Sequence, residues 1–122
     1  MTDALMGNNP LRMLKSVVGL HAKRHEVIAG NVANVNTPYY RRREFRFEEE
    51  LKQAIENKTA SFEELDGSIE RPKDTVVRNN GNDVDIDDEI VAMNKNTTLY
   101  GIYTQIYQQR ASQIKHAIRG GR

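Results

Sequence analysis

The sequence predicts a mainly α-helical chain. Two long terminal helices form an antiparallel coiled-coil-like pair, joined by a short irregular or β-containing middle segment. Three observations lead there. Apolar residues recur at alternating steps of three and four over residues 11–36 and again over 85–119, which is the mark of helical seams. Residues 37–84 hold no such sustained period. The chain has 122 residues, no Cys and no Trp, with 38% hydrophobic and 29% charged residues, so a single domain spanning 1–122 must build a thin core without disulfides.

The N-terminal helix is expected over 11–36. Its seam runs Leu11, Leu14, Val18, His21, His25, Ile28, Val32 and Val35. Asn9 is placed to cap it and Pro10 to open it, because proline has no N–H to waste in a first turn. Pro38 disfavours a helical Thr37 and ends the run near Asn34–Asn36. Met13, Val17, Leu20, Arg24 and Val27 make a second stripe about 100° around the same helix.

In the middle segment, Phe47, Leu51 and Ile55 predict a short amphipathic helix over 46–57. Thr75-Val76-Val77 reads as the one β-like run, so a short strand pair or a loop is expected within 58–80. Asn79-Asn80-Gly81-Asn82 reads as a turn into the last helix.

The C-terminal helix is expected over 85–119. Its seam is Ile86, Ile90, Met93, Thr97, Tyr100, Thr104, Tyr107, Ala111, Ile114 and Ile118. Asp85 suits the N-cap, and Asp87, Asp88 and Glu89 set negative charge at the positive end of the helix dipole. Arg119 lies at the opposite end, and Gly120-Gly121 stops the helix. Leu99, Tyr103 and Ile106 form a second stripe here too. One partner helix covers one stripe. Two stripes on each of two helices therefore call for neighbours beyond this chain.

Catalytic and ligand motifs are weak. His21 and His25 are one turn apart, but no Glu completes an HExxH helix and no third ligand stands near, so both read as polar members of the seam and no metal is expected. Asp83, Asp85 and Asp87 resemble the start of a calcium loop, but Asp88 occupies the glycine position and Asn94 the final glutamate position; helix capping explains them better. Arg41, Arg42, Arg43 and Arg46 beside Tyr39 and Tyr40 form the one basic patch. Glu48, Glu49 and Glu50 follow at once, so the patch reads as solvated surface or a docking site for an acidic partner rather than a nucleic-acid grip. Asn57-Lys58-Thr59 and Asn96-Thr97-Thr98 match glycosylation acceptors by pattern alone. No cofactor and no enzymatic activity are expected.

Asn31, Asn34 and Asn36 are unusual near a helix end, since asparagine amides compete for backbone groups. Two readings stand: a fraying terminus, or amides that hydrogen-bond across closely packed helices. The surrounding run His25-Glu26-Val27-Ile28-Ala29-Gly30-Asn31-Val32-Ala33-Asn34-Val35-Asn36-Thr37-Pro38-Tyr39-Tyr40 resembles the motif A-N-N-x-A-N-x-x-T-P-G-Y of bacterial flagellar rod and hook axial proteins. The matching positions are Asn31, Ala33, Asn34, Asn36, Thr37, Pro38 and Tyr40. The second half, Gly81 to Glu89 and Met93 to Tyr100, is similar to the proximal rod proteins of that family. Gly30 departs from the usual Asn or Ser, and Tyr39 replaces the turn glycine, which leaves no need for a positive φ at 39.

The resemblance implies a structural rod subunit that assembles helically through its terminal helices. It further implies unfolded export by the flagellar type III apparatus without a cleaved signal, and a place in the periplasmic rod. FliE and the membrane ring would lie below, with other rod proteins above. No nucleic acid and no direct membrane insertion are implied. The seam residues Leu11, Leu14, Val18, His21, His25, Ile28, Val32, Val35, Ile90, Met93, Tyr100, Tyr107, Ile114 and Ile118 are the expected assembly surface. Alternatives are another rod protein of the same family, a small helical adaptor or export chaperone that binds a partner helix, or a weak nucleic-acid binder using Arg41–Arg46.

Overall fold

In a computed structural model the chain is mainly helical, with the order α1 (Thr2–Ala33), β1 (Glu44–Arg46), α2 (Glu48–Asn57), β2 (Ser68–Glu70) and α3 (Ile86–Ile118). The structure describes residues 2–57, 62 and 65–120, with side chains from residue 10 onward. The Asn57 acceptor pattern reaches Lys58 and Thr59, which lie outside the described residues.

The terminal helices pack antiparallel. His21 meets Asn96 while Asn31, further along α1, meets Glu89, earlier in α3. The buried face of α1 falls between its two stripes and takes Leu14, Val17, Leu20, His21, Val27, Ile28 and Asn31. On α3 the covered line is Glu89, Asn96, Leu99 and Tyr103, which continues the second stripe backwards by threes and fours. Ile86, Ile90, Tyr100 and Ile118 of the longer seam are turned outward and exposed.

Helix ends follow capping chemistry. The carboxylate of Asp85 accepts from the backbone N–H of Asp87 at 3.0 Å and of Asp88 at 3.3 Å, satisfying two donors that have no partner within the helix. At the far end the Arg119 and Gly120 N–H groups close the last turn on Lys115 and Ala117, and Gly120 adopts φ +83°. The start of α1 differs from expectation. The helix begins at Thr2 rather than Leu11, so Asn9 lies within it and Pro10 is internal. One proline removes a single backbone hydrogen bond, and the turns on either side carry the helix past it.

The middle segment also differs from expectation in its strands. Thr75–Val77 form none, and Val76 is almost wholly exposed. The strand pair is instead β1 with β2, antiparallel, with Glu44 opposite Glu70, Phe45 opposite Ile69 and Arg46 opposite Ser68. The reason is burial. Phe45 and Phe47 carry large side chains into the cluster of Leu20 and Val27, with Leu51 of α2 and Leu65 packed against it, whereas Val76 and Val77 find no apolar surface. Gly67 at φ +69° lets the chain pass over Phe45, since a Cβ there would come within 2.3 Å of the ring.

Candidate assembly surface and the polar knot beside it

The motif residues at the end of α1 form a hydrogen-bonded knot that fixes where the two long helices cross. Asn31 is fully buried. Its amide donates to the Arg43 carbonyl at 2.8 Å and to Glu89 Oε1 at 3.1 Å, and its oxygen accepts from Tyr40 Oη at 3.1 Å and from the Arg43 N–H at 3.0 Å. Two donors and two lone pairs are thus all used, which removes the penalty of burying them. Of the two readings of this asparagine, the cross-helix amide holds.

Asn34 serves locally. Its amide bonds the Gly30 carbonyl at 2.8 Å, and its oxygen accepts from Thr37 Oγ1 at 3.0 Å. Asn36, Thr37, Pro38 and Ala33 are exposed.

From the other side of the chain, Asn82 completes the terminus of α1. It is fully buried, donating to the carbonyls of Asn34 and Thr37 at 2.8 Å each and accepting from the Val84 N–H at 2.7 Å. Arg78 adds a bond to the Val35 carbonyl. These two side chains thus tie down the carbonyls of the turn that follows α1.

Tyr39 has φ +64°, so the left-handed turn of the motif is kept although glycine is not. This overturns the expectation that no positive φ is needed at 39. The backbone is held there by the bond from the Tyr39 N–H to the Asn80 carbonyl at 2.9 Å. Its ring lies against Gly81, at φ +82°, where a Cβ would fall 2.6 Å from Tyr39 Cδ1. The strain of a left-handed tyrosine, about 1–2 kcal/mol, is offset by these bonds.

Most guanidinium groups of the basic patch pair with carboxylates of the same chain, while Arg41 and Arg46 stay exposed. Arg42 Nε meets Glu89 Oε2 at 2.7 Å and its other arm meets Glu44 at 2.9 Å. Arg41 Nε reaches Asp83 at 3.2 Å, Thr75 Oγ1 reaches the same carboxylate at 2.7 Å, and the Arg42 N–H donates to it at 2.5 Å. Burial pulls the Asp83 carboxyl upward, but the hydrogen bonds from Thr75, Arg42 and Arg41 outweigh it and hold it below its ordinary value. The hydrogen bond from Arg42 lowers Glu44 against a smaller opposing effect of burial, with Arg46 adding to the lowering.

Further along α1, His21 Nδ1 lies 2.7 Å from Asn96 Oδ1, and the Asn96 amide donates to the His21 carbonyl at 2.8 Å. The imidazole stacks on Tyr103 at 5.5 Å and meets the edge of Phe47 at 5.1 Å. His25 is exposed on another face, so the two histidines do not converge. Arg24 donates to the Phe45 carbonyl, lies over the Phe47 ring at 4.3 Å, and grips Glu48 through two bonds of 2.6 Å.

The residues expected at the assembly surface therefore divide. Leu14, His21 and Ile28 are buried in the chain's own helix pair. Leu11, Val18, Val32, Val35, Met93, Tyr107 and Ile114 are half-buried along its margins. His25, Ile90, Tyr100 and Ile118 face outward, with Ile118 79% exposed. Val91, Ile102 and Ile106 extend that outward apolar surface of α3. Asn82, Asp83 and Glu89 escape sequence reasoning. Stepping the Leu99–Tyr103 stripe back by threes and fours gives Asn96, Ala92 and Glu89, so a carboxylate on an apolar stripe was the available signal.

A long helix pair, a motif knot and exposed apolar side chains along α3 describe a chain shaped to pack against neighbours. The chain is 34% identical over 115 residues to the flagellar basal body rod protein FlgB of Borrelia hermsii, an alignment that covers 79% of this chain and 85% of that one. The chain belongs to the FlgB family of flagellar basal body rod proteins. FlgB of Borreliella burgdorferi is 31% identical over 102 residues, covering 68% of this chain and 76% of its own. FlgB of Aquifex aeolicus is 27% identical over 115 residues, covering 90% and 93%. No protein-family model matches the chain. FlgB membership agrees with the motif resemblance, and the knot of Asn31, Tyr40 and Glu89 gives that motif a physical role: it sets the crossing of α1 and α3. Among the described residues no helix is long and apolar enough to cross a membrane.

Proposed function

We propose that this chain is a structural subunit of the flagellar basal-body rod, assembling helically through its terminal helices and without catalytic activity. One observation carries the reading. Outside its contact with α1, α3 leaves Ile90, Val91, Tyr100, Ile102 and Ile118 between 40% and 79% exposed, with Val91 and Ile102 on one flank of the helix and Tyr100 and Ile118 on the other. Large apolar side chains exposed on both flanks of one helix call for neighbours on more than one side. A head-to-tail contact whose rotation does not close produces a filament.

In this reading the single domain spans 1–122. The outward seam residues contact neighbouring subunits, and the half-buried ones, Leu11, Val18, Val32, Val35, Met93, Tyr107 and Ile114, become covered at the edges of that contact. FliE and the membrane ring lie on one side and other rod proteins on the other, with the chain reaching the periplasmic rod unfolded through the type III export apparatus. Density for this chain within an intact basal body tests the reading, and its absence from the rod would refute it.

A further inference from the structure

Beside β1 a groove of about 650 Å³ opens between the long helices, with Ile28 of α1 and Ala92 and Leu99 of α3 among its apolar lining. Five cations and three carboxylates line it, so its field is basic. Most of those charges are paired: Arg24 with Glu48, Arg42 with Glu44, and Arg46 with Glu44 and Glu70. Two cations are not. Arg43 Nε is buried without a hydrogen-bond partner, and Lys95 has no ion pair among the described residues. Glu49 is the one groove carboxylate in the same condition, which leaves an excess of positive charge.

The same chain displays a segment of matching chemistry. At the start of α3, Asp87 and Asp88 are exposed, and their carboxylates have no cation among the described residues. Ile86 and Ile90 flank them, 39% and 41% exposed and one helical turn apart. The helix dipole accounts for acidic residues there. It does not account for two exposed isoleucines interleaved with them.

We propose that the groove of one copy receives the Ile86–Ile90 turn of a second copy, with Lys95 and Arg43 facing its Asp87 and Asp88 and the isoleucines meeting the half-buried Ala92 and Leu99. The inference rests on the rod-subunit reading and adds a specific contact to it. Asp88 and Lys95 lie on one helix seven residues apart, about 10 Å, so they cannot pair within a chain. Pairing them between chains staggers the two α3 helices by about two turns. Groove and turn are different surfaces, so each copy keeps one of them free and the contact propagates.

A charge swap in the chain's own bacterium tests this, read by rod completion and swimming. Lys95→Glu alone and Asp88→Lys alone each lower rod completion at least about tenfold, and the combined variant restores it. The rescue separates the contact from lost helix stability, because the double variant carries both local costs. Circular dichroism establishes that each variant folds. As a second readout, purified Asp88→Cys and Lys95→Cys chains are mixed at high concentration and joined by a short thiol-reactive cross-linker that spans a Lys–Asp pair, which a disulfide is too short to do. The chain has no cysteine of its own, so a mixed dimer exceeding both self-dimers supports the contact.

Single variants that complete rods normally, a double variant that fails to recover, or statistical pairing of the cysteines would each overturn the proposal. Rods built normally by all variants strike this contact and leave the rod reading standing. If the unmodified chain builds no rod, the rod reading fails and the cysteine pairing alone decides the contact.

Discussion

Asn31 and Glu89 stand 58 residues apart in the chain and meet in its interior through a 3.1 Å hydrogen bond, both fully shielded from solvent. Each also grips a third element: Asn31 the backbone of Arg43, Glu89 the guanidinium of Arg42. The crossing of α1 and α3 is thereby fixed by polar groups that tolerate one register. An apolar pair would tolerate several.

Glu89→Ala is expected to destabilise the chain by about 3–5 kcal/mol, since it leaves Arg42 without its buried partner and Asn31 with a vacant donor. Asn31→Ala is expected to cost about 2 kcal/mol. The double variant should cost less than the sum, because both remove one network. Urea unfolding of the four proteins checks this. Additive losses would show the two residues to be independent.

Gly81→Ala should destabilise by about 2 kcal/mol, from its φ of +82° and from the approach of a Cβ to Tyr39 Cδ1. In a Tyr39→Gly background the clash with the ring is gone, and the backbone part and the 3.3 Å approach to the Cα of residue 39 remain. Tyr39→Gly by itself should leave stability unchanged or raise it by up to about 1 kcal/mol, because the left-handed strain is relieved. Thermal unfolding of this double-mutant cycle measures the coupling.

Stability should fall in acid, chiefly as pH drops from about 4.5 towards 2. The hydrogen bonds from Arg24 bring Glu48 down from 4.5 to about 2. Arg42 lowers Glu44, and hydrogen bonding against the pull of burial lowers Asp83. With folded-state values depressed, the unfolded chain binds protons first, so the stabilisation is complete above the unfolded values and lost as pH falls through the folded ones. Glu48 is mostly exposed, so solvent screening keeps its share small. Arg24→Ala should flatten the acid limb of a stability–pH curve, and an unchanged limb would remove Glu48 from the account.

Both long helices were legible in the sequence because apolar spacing and end chemistry agreed: Asp85 caps α3, and Gly120 turns out of it. Asn31 was legible as an anomaly, a polar amide on an apolar helix. What eluded sequence reasoning depended on distant partners. Glu89 sits among acids that suit any helix start, and only its place on the stripe of Leu99 and Tyr103 separates it from Asp87 and Asp88, which remain exposed. Thr75–Val77 had strand propensity but no apolar surface to cover, whereas Glu44–Arg46 gained one from Leu20 and Val27. Pro10 suited a helix start, yet α1 continues through it.

Ile28→Asp and Ile118→Asp should behave differently. Ile28 is 7% exposed, so a carboxylate there should cost at least about 3 kcal/mol and unfold much of the helix pair. Ile118 is 79% exposed, so Ile118→Asp should change monomer stability by no more than about 0.5 kcal/mol yet block rod assembly. Urea unfolding and swimming assays separate the two. Normal rods in the Ile118 variant would remove that residue from the assembly face.

Hydrogen exchange, followed amide by amide in the dilute chain and in the assembled rod, shows whether α3 depends on neighbouring subunits for its order. The account predicts fast exchange over Ile102–Ile118 in the free chain, where α3 carries its exposed apolar surface, slower exchange around Asn31 and Glu89, and strong protection throughout α3 once assembled. Equal and strong protection along both terminal helices in the dilute monomer would contradict it.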